Sequence, residues 1–247
     1  MELKILGSSS AGNCYVFDNG MEALILECGI SFEDVKRSVN FDISRIVGCV
    51  VSHEHGDHAK EVQKFLNAHI PVHASAGTIK AIKVKSNSQM LNPIEANKPF
   101  TLGNFKILAF DVQHDAAQPF GFLISHPETG ITLFATDTYY LAYKFKGLNN
   151  ILIECNYRLD ILRRNLSNGS VPIITKDRII ESHMSYDTCL EVLLANDLSD
   201  VNNIVLIHLS DSNSNALEFH AGIKEATGKN VHIADRGVIL KFNKTPF

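Results

Sequence analysis

The densest group of chemistry-bearing residues in this chain is a hexapeptide, His53-Glu54-His55-Gly56-Asp57-His58. Side chains of an extended segment alternate between its two faces, so His53 and His55 point the same way. Gly56 allows a tight turn, after which Asp57 and His58 are presented at the start of a helix. Imidazole and carboxylate groups bind divalent cations such as zinc, manganese and iron. The spacing therefore predicts that two imidazoles hold one cation while Asp57 and His58 hold a second one close by.

Three further ligand-type residues each follow an apolar run that we predict to be a strand. They are His114, Asp137 and His208, after Phe105–Phe110, Ile131–Ala135 and Ile204–Ile207. Strand ends place functional groups around a common cleft. Each residue alone also fits a polar group hydrogen-bonded at a strand end, but with the hexapeptide they complete a ligand set for two metals. The remaining histidines, at positions 69, 73, 126, 220 and 232, lack this placement and are treated as structural or exposed.

The elements that must position these residues follow from hydrophobic periodicity. The continuous apolar run Ile46–Val51 directly precedes the hexapeptide and is typical of a strand buried on both faces. Further strands are predicted at Leu3–Leu6, Cys14–Asp18, Ala23–Glu27, Phe105–Phe110, Phe120–Ser125, Ile131–Ala135, Ile151–Glu154, Ile204–Ile207 and Val238–Phe242. Helical patterns occur from Ser31 to about Val39 and at Ala59–Ala68, Ala76–Val84, Ser185–Ala195 and Asn215–Thr227. This order predicts a mixed α/β protein with two sheets inside and helices outside.

Length and composition limit the class of protein. The 247 residues fit one large domain or two small ones. No apolar run approaches the ~18 residues of a membrane span, and Met1–Gly7 lacks the basic and then apolar pattern of a secretory signal. The five cysteines are widely spaced and form no CxxC pair, which predicts buried thiols in a reducing compartment. We therefore expect a cytoplasmic protein without a membrane segment.

The charge is distributed unevenly along the chain. The net charge is −4, yet residues 144–178 carry seven basic residues against three acidic ones. Such a segment fits a local surface for an anionic partner, and it fits a solvated helix face about as well. Weak periodicity in residues 156–180 indicates an excursion over the site.

The order of the ligand-type residues resembles the metallo-β-lactamase superfamily, in which His-x-His-x-Asp-His after a strand precedes a lone His, a lone Asp and a final His. The resemblance spans nearly the whole chain and implies a single domain, 1–247, that folds as a four-layer αββα sandwich with a binuclear metal cleft along one edge. The implied ligand assignment is His53, His55 and His114 on the first metal, Asp57, His58 and His208 on the second, and Asp137 bridging both. The expected cofactors are two divalent ions, zinc or manganese, with iron also possible.

Shorter motifs resemble the YycJ/WalJ-like nuclease group of that superfamily. They are Gly7–Tyr15, His114–Ala116, Pro119–Phe122, Glu154–Asn156, Arg178–Ile180, His183–Ser185 and His208–Ser210. Members of that group resemble exonucleases that act on DNA 5′ to 3′, and they are more distantly similar to tRNA 3′-processing enzymes. Three departures bear on the substrate: Glu27 stands in place of an Asp, Tyr157 in place of a His, and the expected aromatic spacing is missing around Asn168–Pro172.

The resemblance implies a phosphodiester hydrolase, whose nucleophile is a hydroxide activated by two cations about 3.5–4 Å apart. The leaving oxygen needs a proton, and His183 is the candidate donor, with Glu154 orienting its other ring nitrogen. This pair matches the histidine–carboxylate relay of the tRNA-processing relatives. Alternatively, His183 only precedes a helix that Ser185 caps. The candidate residues for catalysis are therefore Asp57, His183 and Glu154.

Two features near the hexapeptide have open interpretations. Ser52 and Glu27 either support the metal ligands or form ordinary hydrogen bonds at a turn and a strand end. The Gly7–Asn13 loop either lets a ligand approach the backbone closely or simply forms a turn, and it lacks the pattern of a nucleotide-binding P-loop.

We expect a nucleic acid substrate, DNA more than RNA, bound by an enzyme of unknown oligomeric state. The alternative is a small-molecule hydrolase of the same fold, either a cyclic-nucleotide phosphodiesterase or a thioesterase, which the acidic balance outside residues 144–178 favours. A non-catalytic metal-binding regulator is a third possibility, and the complete ligand set argues against it.

Overall fold

The computed structural model of the protein describes residues 1–246. The strands of its first part are β1 (Glu2–Ser9), β2 (Gly12–Asp18), β3 (Ala23–Leu26), β4 (Ile46–Val50), β5 (Val72–Ser75), β6 (Leu91–Ile94) and β7 (Phe100–Leu102). The later strands are β8 (Phe105–Asp111), β9 (Phe120–His126), β10 (Gly130–Ala135), β11 (Leu148–Glu154), β12 (Asn203–Ile207), β13 (Asn230–Ile233) and β14 (Ile239–Lys241). The helices are α1 (Phe32–Ser38), α2 (Gly56–Ala59), α3 (Val62–Asn67), α4 (Ala76–Ala81), α5 (Leu159–Ser167), α6 (Lys176–Ser182), α7 (Tyr186–Ala195) and α8 (Ala216–Thr227).

The strands form two mixed sheets of seven strands each. The first has the order β14-β1-β2-β3-β4-β5-β6, and the second has the order β13-β12-β11-β10-β9-β8-β7. Strands β3 to β6 are parallel, as are β10 to β13, whereas the other neighbours are antiparallel. Every residue of β2, β3, β11 and β12 is buried, which explains the apolar runs Cys14–Phe17, Ala23–Leu26, Ile151–Ile153 and Ile204–Ile207 within them.

The main core lies between the two sheets. Phe17 of the first sheet meets Phe105 of the second edge to face at 6.4 Å between ring centroids, and Tyr15 meets Phe134 at 5.5 Å. Edge-to-face contacts of this kind add to the free energy gained by burying the rings. Helices α1 and α3 cover the outer face of the first sheet, and α7 and α8 cover that of the second. The layers are thus helix, sheet, sheet, helix, and the predicted α/β sandwich is confirmed.

Several local expectations differ from the structure. The short strands β5, β6, β7 and β13 were not expected, because three or four residues carry little periodicity. The helix predicted at Ala59–Ala68 is the shorter α3, and it is separate from α2, which ends at Ala59, because the amide of Glu61 donates to the carbonyl of Cys28. The excursion of residues 156–180 contains α5 and the start of α6. Within residues 1–246, no helix has both the length and the apolar character that crossing a membrane requires.

One histidine outside the hexapeptide is held neutral by the fold. His73 lies in β5, its ring stacks on Phe100 at 5.3 Å between centroids, and its Nε2 is buried without a hydrogen-bond partner. Burial lowers the pKa of His73 to about 4. An unfolded histidine is protonated near pH 6.5, so the unfolded chain binds a proton that the folded chain refuses between these two values.

We predict that His73 makes the protein sensitive to acid. As the pH falls from about 6.5 to about 4, protonation of the unfolded chain lowers the free energy of unfolding. In the His73→Leu variant this free energy should fall less over the same range, measured by urea denaturation at a series of pH values. His69→Asn is the control, because His69 is exposed and its left-handed backbone, φ 58°, suits Asn. Parallel pH curves for the wild type and His73→Leu would contradict the prediction.

Candidate metal centre

The candidate site residues lie just beyond strand ends of both sheets. Glu27 follows β3, His53 follows β4, His114 follows β8, Asp137 follows β10 and His208 follows β12. Three of them have left-handed backbones, with φ of 63° at Glu27, 46° at Asp137 and 54° at His208. This conformation is uncommon for residues other than glycine and concentrates at functional sites. At these three positions the chain turns sharply at the end of its strand.

A first group of potential ligands consists of His53, His55, His114 and Asp137, whose donor atoms all lie within 4.8 Å of one another. Oδ2 of Asp137 is 3.5 Å from Nε2 of His114 and 3.7 Å from Nε2 of His53. Nε2 of His114 is 3.1 Å from Nδ1 of His55. The two histidines of the hexapeptide thus face the same place, and His114 from the other sheet joins them there.

The ring nitrogens of this first group are arranged as metal ligation requires. Nδ1 of His114 donates to the carbonyl of Ser182 at 2.9 Å, which leaves the lone pair of Nε2 facing the group. Nδ1 of His53 lies 2.8 Å from the hydroxyl of Ser52, and its Nε2 is buried without a hydrogen-bond partner. A buried nitrogen without a partner is costly, and a bound cation would satisfy it. The residues present therefore fit a divalent metal.

A second group consists of Asp57, His58, Asp137 and His208, again with donor atoms within 4.8 Å of one another. Oδ2 of Asp57 is 3.2 Å from Nε2 of His58 and 3.3 Å from Nε2 of His208. The carboxylate of Asp137 is 3.4 Å from Nε2 of His58 and 3.6 Å from Nε2 of His208. These donors come from the hexapeptide on one sheet and from two strand ends of the other sheet.

Asp137 belongs to both groups. Its Oδ2 faces His53, His58 and His114, while its Oδ1 faces His208 and accepts a hydrogen bond from Thr136 at 2.9 Å. Burial alone would raise the pKa of Asp137, but His208 and His58 hold it well below its usual value. Burial likewise disfavours a charged His208, yet Asp137 and Asp57 raise the pKa of that imidazole to about 10. The pocket therefore keeps a carboxylate ionised between the two ligand groups.

Glu27 contacts the second group from its buried side. It is completely buried, accepts the amide of Ser52 at 3.1 Å and lies 3.4 Å from Nδ1 of His58. Burial raises the pKa of Glu27, although His58 acts against this shift. Glu27 stands where an Asp was expected, and its longer side chain still reaches the imidazole. Of the two open interpretations of Ser52 and Glu27, the geometry favours support of the ligands.

The Glu154–His183 pair adjoins both groups. Nδ1 of His183 lies 2.6 Å from Oε1 of Glu154, and the His183 ring stacks on His208 at 5.3 Å between centroids. The other oxygen of Glu154 accepts the amides of Thr138 and Met184 at 2.9 and 3.1 Å. Burial opposes a charge on His183, but Glu154 raises the pKa of the imidazole above its usual value. The alternative interpretation of the segment is also met, because Ser185 accepts the amide of Thr188 and caps α7.

Sequence reasoning gave no role to four residues that hold the site. The side-chain amide of Asn13 lies 3.1 Å from Nε2 of His58, and that of Asn156 lies 3.1 Å from Nδ1 of His208. The hydroxyl of Ser8 accepts the amide of His208 at 2.9 Å, and the carbonyl of Ser182 accepts Nδ1 of His114. Ser8, Asn13 and Asn156 belong to recognised motifs, but nothing in the sequence singles out a backbone carbonyl.

Two clefts lie in this region, and one of them has a potential ligand in its lining. One, of about 790 Å³, is lined by His114, Asp115, Tyr139 and Arg178 among others. The second, of about 460 Å³, lies between the Gly7–Gly12 loop and residues that follow His208, and its lining includes Asp211 and Asp235. Both volumes are in the range of small-ligand sites. The arrangement can thus hold divalent metal beside the first cleft, with the Glu154–His183 carboxylate–imidazole pair next to it.

Comparison with known proteins extends over most of the chain. A family model described as the Beta-lactamase superfamily domain matches residues 24–209. Exodeoxyribonuclease YycJ of Bacillus anthracis is 25% identical over 232 residues, which cover 87% of this chain and 84% of that protein. Exodeoxyribonuclease WalJ of Streptococcus pneumoniae is 27% identical over 226 residues, covering 85% and 82%. The crystal structure of the metallo-β-lactamase fold protein YhfI from Bacillus subtilis has a TM-score of 0.72 at 16% identity, covering 97% of this chain and 98% of that one.

We predict that Asp137→Asn weakens metal binding about a hundredfold or more. The substitution keeps the size and tolerates the left-handed backbone, but it removes the charge that faces both ligand groups. Metal affinity is measured by competition with a chromogenic chelator, and metal per chain by elemental analysis. Glu54→Gln is the control, because Glu54 is a neighbour in the hexapeptide that belongs to neither group. Equal affinity in the wild type and Asp137→Asn would show that the metal binds elsewhere.

Proposed function

This chain belongs to the β-lactamase superfamily and is a metal-dependent hydrolase of that superfamily; from this premise we propose that it cleaves phosphodiester bonds in a nucleic acid, DNA more than RNA. The observation that carries the proposal is the position of the Glu154–His183 pair against the two ligand groups. Phosphodiester cleavage needs a stabilised nucleophile and a proton for the leaving oxygen, and this site has groups for both. The names of the relatives from Bacillus anthracis and Streptococcus pneumoniae support DNA as the polymer.

The proposed ligand roles follow the two groups. His53, His55 and His114 would hold one ion, Asp57, His58 and His208 would hold a second, and Asp137 would bridge them. The donor set suits zinc or manganese, with iron also possible. Two such ions lower the pKa of a water molecule and stabilise the charge on the attacking and leaving oxygens. Glu27 and Asn156 contact the other ring nitrogen, Nδ1, of His58 and His208 and hold these imidazoles in place.

His183 is proposed as the proton donor. Glu154 occupies Nδ1 of His183, so Nε2 is the atom that delivers a proton to the leaving oxygen. Glu154 raises the pKa of His183 above its usual value, which favours the protonated ring that an acid must have before the bond breaks. Two backbone amides fix the opposite oxygen of Glu154, so the carboxylate cannot rotate away. Glu154 thus acts through His183 as a positioning residue.

The basic segment supports a polyanionic substrate at one point in particular. Arg158 is already paired with Asp160 and Glu218, and Arg163 and Arg164 lie on the exposed face of α5. Arg178 instead lines the cleft beside His114, where its side chain is 69% exposed and 3.4 Å from Asp115. We propose that Arg178 contacts a phosphate of the bound strand. The other basic residues of residues 144–178 then form a solvated surface, which is the alternative interpretation of that segment given above.

A smaller substrate is the second candidate. Asp211 and Asp235 line the second cleft, and Asp115 stands beside Arg178 in the first. Carboxylates along both clefts repel a long chain of phosphates more than they repel one small ester. A cyclic-nucleotide phosphodiesterase or a thioesterase would have this surface.

The first test concerns the proton donor. His183→Ala should retain bound metal and lose about a hundredfold in turnover on DNA. With bis(p-nitrophenyl) phosphate the loss should be much smaller, because p-nitrophenolate leaves without a proton. His69→Asn, at an exposed histidine, serves as the control. Loss of metal from His183→Ala would make His183 a ligand, and equal losses on both substrates would remove it as the acid.

The second test separates the two substrate classes. KM for an oligodeoxynucleotide should rise steeply with NaCl, because each phosphate contact releases a counterion. Arg178→Ala should reduce the slope of log KM against log salt by about 0.7–0.9, the value of one phosphate contact. Arg163→Ala is the matched control outside the cleft. Little salt dependence, with efficient hydrolysis of cyclic nucleotides or thioesters, would favour the smaller substrate.

A further inference from the structure

One aromatic ring stands in the cleft beside the ligand groups with no assigned role. Tyr139 lies two residues after Asp137 and lines the same cleft as His114 and Arg178. Its side chain is 42% exposed. Among residues 1–246 no other aromatic ring pairs with it, whereas Tyr143 packs against Phe110 at 5.4 Å between centroids. A large ring left open to solvent beside a reaction centre is a candidate contact for the substrate.

The backbone that carries Tyr139 is fixed on both sides. The amide of Thr138 donates to Glu154 at 2.9 Å, and the hydroxyl of Thr138 donates to the carbonyl of Tyr140 at 2.8 Å. The amide of Tyr139 itself donates to the carbonyl of Gln113 at 3.3 Å, one residue before His114. The buried side chain of Leu141 anchors the segment beyond. The backbone of Tyr139 is therefore held in a fixed place relative to His114 and to the Glu154–His183 pair.

An exposed tyrosine on a fixed backbone presents a flat face at little cost in side-chain entropy, because the ring has only two rotatable bonds. Nucleobases stack on such faces whatever their sequence, because every base has a π surface. The cleft of about 790 Å³ has room for one nucleotide, with Arg178 available to its phosphate. A small anion such as inorganic phosphate would have no use for the ring. The chemistry of the cleft thus matches a base and a phosphate together.

We propose that Tyr139 is the stacking surface for the nucleobase next to the bond that is cleaved, so that this base leaves its neighbours and lies in the cleft. The inference rests on the proposed phosphodiesterase function and adds to it a specificity for substrates that carry a base. Stacking on one ring contributes affinity before the bond breaks, so it acts on KM and leaves kcat nearly unchanged.

The experiment compares two polymers that carry the same phosphates. One is a short oligothymidylate, and the other is an abasic oligomer of equal length built on tetrahydrofuran units. Tyr139→Ala should raise KM for the oligothymidylate about tenfold, a typical loss for one base on one ring, with kcat nearly unchanged. It should leave KM for the abasic oligomer at the wild-type value. Tyr139→Phe, which keeps the ring, should behave as the wild type on both.

Tyr140→Ala is the matched control, because Tyr140 is the next residue and is 49% exposed but lines a different, smaller cleft. It should leave both KM values unchanged. An equal rise of KM on both polymers in Tyr139→Ala, or the same rise in Tyr140→Ala, would overturn the stacking proposal and leave the phosphodiesterase intact. If the metal-loaded wild type hydrolysed neither polymer, the proposed function would be refuted, and the stacking proposal with it.

Discussion

The charge of one buried carboxylate, that of Asp137, is the interaction on which the site depends. Imidazoles from the hexapeptide and from two other strand ends converge on its two oxygens at 3.4 to 3.7 Å. Several imidazoles in one dry pocket would repel one another as soon as they were protonated, and burial together with the neighbouring His58 lowers the pKa of His53 well below its usual value. The negative charge of Asp137 at the centre reduces this repulsion and attracts cations to the cluster. In the Glu154–His183 pair, a carboxylate likewise lies against an imidazole, next to this cluster.

The fold supplies this arrangement by ending parallel strands of two sheets at a common edge. The turn out of each strand must be abrupt, and Glu27, Asp137 and His208 make it with left-handed backbones. Such conformations cost free energy, and they persist where the surrounding structure determines them. Here the carboxylate of Glu27 is tied to the amide of Ser52, and the amide of His208 to the hydroxyl of Ser8. The two sheets pack against each other through edge-to-face aromatic contacts, and this packing keeps the strand ends in register.

Much of the site could be predicted because the residue type alone decides whether a side chain can bind a metal. His53, His55, Asp57 and His58 are recognisable by spacing alone, and His114 is recognisable by its place after an apolar run. The contacts that orient the imidazoles were not predictable in the same way. The carbonyl of Ser182 receives His114 from 68 residues away, and every residue type carries such a carbonyl. The short strands β5 and β13 also escaped, because their pairing comes from neighbouring strands and not from their own pattern.

The sequence by itself determined which residues can donate to a metal and how strands and helices alternate, and therefore the layered α/β class. Side-chain chemistry and hydrophobic periodicity are local properties, so they can be recognised in the sequence alone. Tertiary structure alone decided that Asp137 faces both groups, that Glu27 reaches His58 despite its extra methylene, and that Arg178 lines the cleft while Arg158 is neutralised. It also decided that Tyr139 stands open beside His114. These are distances between residues remote in the chain, and they are set by how two sheets pack, which no local pattern encodes.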